Sequence, residues 1–570
     1  MSKPELNACI LQKTLTNKFG IYKMNNNRSS LVWIPLIIAV SIVIGLFFGN
    51  NFSNKTFISD NDRKLNTILN LVSAQYVDTV DINDLIEQSI PKILANLDPH
   101  STYIPANEFN KVNSELEGSI SGIGVSFSLM NDTVVVNEVV SGGPSEKVGI
   151  MTGDRIISVN DSSLINVKDT EVMQRLRGAR NSKVKLGVKR SNSPNTIFFT
   201  VTRGDIPIHT IDASYMIEKT TGYIRVNKFG KNSYNEFLSA LIELQKEGAN
   251  RYIIDLRGNG GGLMEPAILM ANEFLGENHL IVFTKGREKR NESQFWSDGN
   301  GSFKDVQLVV LIDEYSASAS EIFSGAIQDN DRGLIIGRRS FGKGLIQQQI
   351  SLPDSSAVRL TVGRYYTPSG RCIQKDFKRG NDDEYSLELY DRYTSGEVYN
   401  KDSIKVKTDQ VFITSTGRTV YGGGGIIPDI FVPNDTSGIT SYYINVVNTN
   451  MMQRFAMQYC DINREAIAEM ADYNELMSCM PSNDALLSDF VRFASQHGIP
   501  ARWYYINISR NLIINQLRAL IARDAFGNQA FYPVFNTADK TVAEAIKVLK
   551  SGKAEFPIVD EQESEKKSKK

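Results

Sequence analysis

The stretch GRRSFGKGLIQ, Gly337 to Gln347, sets a lysine between two glycines with a glutamine four residues on. It falls one residue type short of a phosphate-binding loop. Gly337, Gly342 and Lys343 have the spacing, but Gly344 stands where Ser or Thr would hold magnesium. A phosphate loop must also open a helix, whose free N–H groups bind the phosphates. The chain beyond Lys343, GLIQQQISLPDSSAVRLTVGRYY, leans towards strand and is broken by Pro353. In an extended chain alternate side chains share a face, so Lys343, Leu345 and Gln347 project together. A lysine beside a glutamine that can hydrogen-bond to it suits a general base better than a phosphate clamp.

A base needs a nucleophile. DEYSASASEIFSGAIQ, Asp313 to Gln328, starts where a strand ends and enters a helix of small residues. Ser318 with Glu321 fits a capping box, a purely structural use. The same turn also exposes a hydroxyl and aims the next N–H, that of Ala319, at a developing oxyanion. A third segment, YIIDLRGNGGGL, puts Asp255 at a strand end ahead of a glycine-rich turn; Leu263 breaks the dinucleotide fingerprint. Bare backbone there can approach a substrate carbonyl closely. Only four histidines are present, and His100 in LDPHSTYI, the one in a motif-like setting, reads as part of a structural turn. Without a positioned histidine, Ser-His-Asp chemistry is disfavoured. A lysine base must instead lose its proton near neutrality. Bringing its pKa from about 10.4 to roughly 7–8 takes about 3–5 kcal/mol of bias against the charged form. Phe341, Leu345, Ile346 and the preceding LII offer apolar surroundings, and no carboxylate should pair with Lys343.

The elements that must position these residues are legible as alternation. From Gly222, apolar runs such as YIRV, YIIDL and LVVLID alternate with helical segments such as YNEFLSALIELQKEG. That pattern predicts an α/β domain on a largely parallel sheet. Residues 55–120 read as helices, 121–203 as a β-rich module and 436–555 as helical again, with SRNLIINQLRALIARDAF the clearest member. Lys378 to Asp402, polar and charged, reads as an exposed excursion.

Composition limits the partners. Of 570 residues 63 are basic and 64 acidic, with no basic stripe for nucleic acid. Cys9, Cys372, Cys460 and Cys479 lie far apart and form no CxxC pair, so neither a zinc site nor a disulfide framework is expected; no other metal and no cofactor is expected either. Leu31 to Gly49 carries no charge over 19 positions, enough to cross a bilayer, and Lys13, Lys18, Lys23 and Arg28 precede it. The positive-inside rule leaves residues 1–30 in the cytoplasm and everything after residue 50 outside. FFGNNF lacks a small-x-small cleavage site, which favours an uncleaved anchor. Met24 is an alternative start, and residues 556–570 read as a frayed tail.

In that order, DLRGNGGGL, SASASEI and GRRSFGKGLIQ, followed by RYYTPSGRCIQ and GGGGIIPDI, resemble the carboxyl-terminal processing (tail-specific) serine peptidases. The resemblance covers roughly residues 60–435. It implies a crotonase-like α/β core, residues 204–435, with Ser318 as nucleophile, Lys343 as base and Gln347 orienting the lysine. It also implies an oxyanion hole of the Ala319 N–H with that of Gly261 or Gly262. Gly260 and Cys372 depart from the family's commoner residues without touching the dyad. Residues 121–203 resemble a PDZ domain inserted in that core, with GIGV, Gly122, Ile123, Gly124 and Val125, as the loop that holds a peptide's terminal carboxylate. The partners implied are protein substrates with free C-termini, cleaved outside the cytoplasmic membrane of a bacterium. A rival is a catalytically silent PDZ scaffold that holds tails. Residues 436–555 have three open roles: homo-oligomer assembly, adaptor binding or gating.

Overall fold

The apolar runs become strands buried on both faces, as a parallel sheet between helices requires. In the computed structural model the central sheet has six strands: Ile211–Glu218, Thr221–Val226, Arg251–Asp255, Gln307–Ile312, Leu334–Gly337 and Ile430–Phe431, in that spatial order. The first pair is antiparallel and every later pair parallel. Period-two alternation sorts the side chains. Tyr252, Ile254, Leu308 and Val310 point to the face covered by the helices Ser233–Lys246, Met264–Asn272 and Ala319–Asp329. Ile253, Val309 and Leu311 point to the other face, where Val542, Ala545, Val548 and Leu549 of the helix Lys540–Lys550 meet them. The last helix among the described residues is thus part of this sheet's core.

The structure describes residues 60–552, apart from 110–111, 113–118, 131, 141 and 191–192. The expected anchor at 31–49, the segment 1–30 and the tail 556–570 lie outside the described residues. Among the described residues no helix is long and apolar enough to cross a membrane. Residues up to Gln88 form a unit of their own, whose helix Asp60–Gln75 is described.

A second sheet joins Thr102–Ile104, Ala357–Tyr366, Glu277–Gly286 and Ser293–Asp298, with Leu345–Ser351 paired to Ala357–Tyr366. The β-rich module forms its own sheet, ordered Val125–Met130, Thr133–Val139, Arg155–Val159, Lys183–Lys189, Ile197–Thr202. Its entering strand Ser119–Gly122 pairs with its leaving strand Gly204–Pro207. The C-terminal helices from Ser441–Asn448 to Trp503–Phe526 share a core around Phe455, Phe490 and Leu517.

Lys378 to Asp402 is largely exposed, as expected, but it is an ordered element anchored to the fold and not a bare excursion. It holds the helix Asp382–Thr394, capped by Asn381 accepting from the Glu384 N–H, with Tyr385 and Arg392 buried. An Asn-x-x-Glu start and two residues seven apart on one helical face were the signals available.

Candidate active site

Ser318 sits between the strand Gln307–Ile312 and the helix Ala319–Asp329, in a backbone conformation (φ 57°, ψ −113°) that a residue with a Cβ rarely adopts. Such strain, about 1–3 kcal/mol, persists only where neighbours over-determine it. The three serines of SASAS then have different fates. Ser316 donates to the Leu256 carbonyl and Ser320 to that of Asn259, both fully buried. Ser318 alone of the three lines an adjoining cleft.

That cleft, about 660 Å³, is lined by Ser318, Ala319, Lys343, Gln347, Gly260, Gly261 and Gly262. The structure therefore brings together all the core residues singled out in the sequence. His100 and Arg359 line it too. Lys343 does not open a helix; it precedes the strand Leu345–Ser351, so a phosphate loop is ruled out.

Two buried side chains lock the serine turn to the lysine loop. The Glu321 carboxylate accepts from the Ser318 N–H (2.8 Å), the Ser340 hydroxyl (2.6 Å) and the N–H groups of Gly342 (2.7 Å) and Lys343 (2.9 Å). The capping glutamate is thus also the clamp on the lysine loop. Burial pushes its carboxyl up, and these four donors push back. The Tyr365 hydroxyl is shared between the carbonyls of Ser318 and Lys343.

The glycine turn is fixed by Asn259. Its carbonyl accepts from the Ala317 N–H and the Ser320 hydroxyl, and its Oδ1 from the Gly261 N–H at 2.8 Å. The Gly261 N–H is thereby committed. Of the two oxyanion candidates it is Gly262 whose N–H has no acceptor among the described residues. Ala319 opens its helix, so its N–H has no partner within that helix. Gly261 (φ 97°) has no room for a side chain: a Cβ would lie 2.7 Å from that of Ser318.

Lys343 is mostly buried, and its ammonium forms no ion pair or hydrogen bond among the described residues. Burial lowers its pKa and Arg359 adds to the effect, while Glu321 and Asp98 oppose it. Gln347 forms no hydrogen bond with Lys343 among the described residues. Its Nε2 donates to Thr361 Oγ1 at 3.3 Å, and Thr361 donates to Asp98 at 3.0 Å. In this orientation Gln347 Oε1 accepts no hydrogen bond among the described residues. Catalytic hydrogen bonds are often long in unliganded sites and tighten with substrate.

His100 departs from the expectation that its motif serves structure alone. Asp98 does cap a turn, accepting from the His100 and Ser101 N–H groups. The imidazole, however, lines the cleft and meets the Tyr385 hydroxyl at 2.8 Å. Burial, then the nearby Lys343, lowers its pKa to about 4, so it is neutral at pH 7. Asp255 in turn is structural. Burial raises its pKa, but Arg225 (2.7 Å) and Arg257 (2.6 Å) outweigh that and hold it well below the carboxylate range.

In the β-rich module Gly122, Ile123, Gly124 and Val125 line a small cavity of about 150 Å³ with Met173, Leu176 and Arg177 of the neighbouring helix. Among the described residues the strand Val125–Met130 pairs on one side only, leaving its other edge free.

Residues 220–381 match peptidase family S41 and residues 112–189 the PDZ domain; residues 442–527 match a family of unknown function. The carboxy-terminal-processing protease of Bartonella bacilliformis is 32% identical over 311 residues, covering 54% of this chain and 71% of that protein. The carboxyl-terminal-processing protease of Picosynechococcus is 36% identical over 295 residues, 50% and 70% of the two chains. Among solved structures, a photosystem II D1 C-terminal processing protease is 28% identical, covering 56% of this chain and 91% of that one (TM-score 0.31). A peptide-bound PDZ domain of a Vibrio cholerae carboxy-terminal protease is also 28% identical, covering 16% and 99% (TM-score 0.15). The chain belongs to peptidase family S41, as a serine protease of the carboxyl-terminal processing kind that carries a PDZ domain.

Proposed function

We propose that this protease is a membrane-anchored endopeptidase that cleaves exported proteins near their C-termini through a Ser318–Lys343 dyad on a crotonase-like core. The observation that carries the dyad is a single cleft lined by Ser318, an unpaired Lys343 and the glycine turn. Neutral Lys343 takes the Ser318 proton as the hydroxyl attacks the scissile carbonyl. The Ala319 and Gly262 N–H groups stabilise the oxyanion. Lys343 then returns the proton to the leaving amine, and water completes the cycle by the same route. Gln347 holds the lysine through Oε1. Tails reach the cleft by way of the PDZ module, where the Gly122–Val125 loop holds the terminal carboxylate and the peptide adds to the Val125–Met130 edge. The uncharged run Leu31 to Gly49 supports an anchor with the catalytic part outside the membrane.

The test is cleavage of a tailed protein by the chain and by Ser318→Ala. Loss of cleavage in Ser318→Ala, with retention in Ser316→Ala and Ser320→Ala, supports the assignment. Activity surviving in Ser318→Ala refutes it.

A further inference from the structure

A tail seated with its carboxylate at Gly122–Val125 must run antiparallel to Val125–Met130, because that loop lies at the start of the strand. Its upstream residues then pass Phe127 and Leu129. Side chains on such a strand alternate between two faces. Val125, Phe127 and Leu129 pack on the module's own core, and the exposed Met173 of the adjacent helix lines the carboxylate pocket beside Val125 and Phe127. Ser128 turns the other way, and its hydroxyl meets Met457 Sδ of the C-terminal helical region at 3.3 Å.

The face that a free PDZ domain would leave to water is therefore walled. A cavity of about 940 Å³ lies between Val125–Leu129 and the C-terminal helices and shares Val125, Phe127 and Met173 with the carboxylate pocket. The helical wall includes Asn450, Gln453, Arg454 and Asn528. It is held in place by Arg464, which donates to the carbonyls of Thr152 (2.7 Å) and Gly153 (3.2 Å), and by the Arg155–Asp461 ion pair at 3.1 Å.

The wall's charges are unequal in availability. Arg523 is tied to Asp524 and Gln453. Arg454 has no ion pair or side-chain hydrogen bond among the described residues, and it lines both this cavity and its neighbour beside Leu129 and Met130. The carboxylates on the cavities are Glu138 and Asp169, on the module's own side, Asp132 beyond the far end, and Asp524 on the helical wall, which is held by Arg523 and Gln453.

We propose that the C-terminal helical region is the second wall of the tail-binding groove, reading alternate side chains of the substrate, and that Arg454 selects an acidic residue about four to five positions upstream of the free carboxylate. The offset comes from the rise of about 3.3 Å per residue along the strand from Val125 to Leu129. This rests on the PDZ module binding tails at the Gly122–Val125 loop.

The test uses the full-length chain carrying Ser318→Ala, in detergent, and fluorescent peptides of about ten residues with apolar ends. They bear Glu or Lys at the fifth position upstream, each with a free or amidated C-terminus. Glu should bind about fivefold tighter than Lys, the preference fading at high salt. Arg454→Glu should reverse it and Arg454→Lys retain it. If free carboxylates are required but Arg454→Glu leaves the Glu/Lys ratio unchanged, the wall assignment is overturned while tail recognition stands. If amidated peptides bind as well as free ones, tail recognition by the module falls, and the wall assignment with it.

Discussion

Ser318 and Lys343 stand on backbone that is held from below by two residues with no chemistry of their own, Glu321 and Tyr365. Replacing Lys343 by Arg should abolish turnover as fully as Lys343→Ala, because Arg cannot deprotonate in this range. Measurable cleavage by the Arg variant would exclude the general-base role. The lowered pKa of Lys343 also has a stability consequence. Below the folded-state pKa, burying the unpaired ammonium destabilises the fold, and this penalty disappears as pH rises towards the unfolded value of about 10.4. Lys343→Met should therefore be inactive yet melt at higher temperature than wild type at pH 7, the gap closing by about pH 10.5 in calorimetry. Glu321→Gln tests the clamp. An amide can accept at one end only, so about two of the four donors lose their acceptor, at roughly 1–3 kcal/mol each. We predict a kcat about 10- to 100-fold lower with little change in KM. Since the Glu321 charge raises the Lys343 pKa, its removal should move the acidic limb of the pH–kcat profile to lower pH. An unmoved limb would show that Glu321 does not act on Lys343 through its charge.

At the scale of elements, the proposed dyad depends on three turns meeting: the glycine turn after Arg251–Asp255, the serine turn after Gln307–Ile312, and the loop after Leu334–Gly337. They are neighbours because those three strands are adjacent and parallel, which puts the ends of all three on one edge of the sheet. Gly261→Ala should lower kcat about 100-fold while circular dichroism stays native, since its methyl would press on the Ala317 carbonyl and the Ser318 Cβ. Near-wild-type turnover would mean the turn has room to move and is not the rigid half of an oxyanion hole. The free edge Val125–Met130 carries the other prediction. Charge-assisted hydrogen bonds are worth about 1.5–3 kcal/mol, so amidating a substrate's C-terminus should slow its processing at low concentration about 10- to 150-fold. Equal rates would remove the support for carboxylate recognition.

At the scale of the molecule, the helix Lys540–Lys550 seals the sheet face opposite the catalytic helices. Val542, Val548 and Leu549 are each almost fully buried there. Burial of such side chains is worth about 1.5–3 kcal/mol apiece, and whole proteins are stable by only about 5–15 kcal/mol. Deleting residues 540–570 is expected to yield aggregated or protease-sensitive protein rather than an intact peptidase lacking a tail. Recovery of a soluble protein with native melting behaviour would show that the helix is dispensable.

The features legible in the chain alone were local ones. Apolar runs with period two specified buried strands, the glycine turn and the serine turn marked their ends, and the tail-processing motifs pointed to Ser318, Lys343 and Gln347. Those signals survive in one dimension because periodicity and turn chemistry act over a few residues. The remainder emerged only in three dimensions. Glu321 looked like a cap and proved to be the clamp on a loop about twenty residues away. The entry of His100 into the cleft, the relay from Gln347 through Thr361 to Asp98, and the burial of Arg392 all depend on how distant segments pack. A hydrogen bond between residues hundreds of positions apart leaves no periodic trace, because nothing in the chain between them is required to repeat.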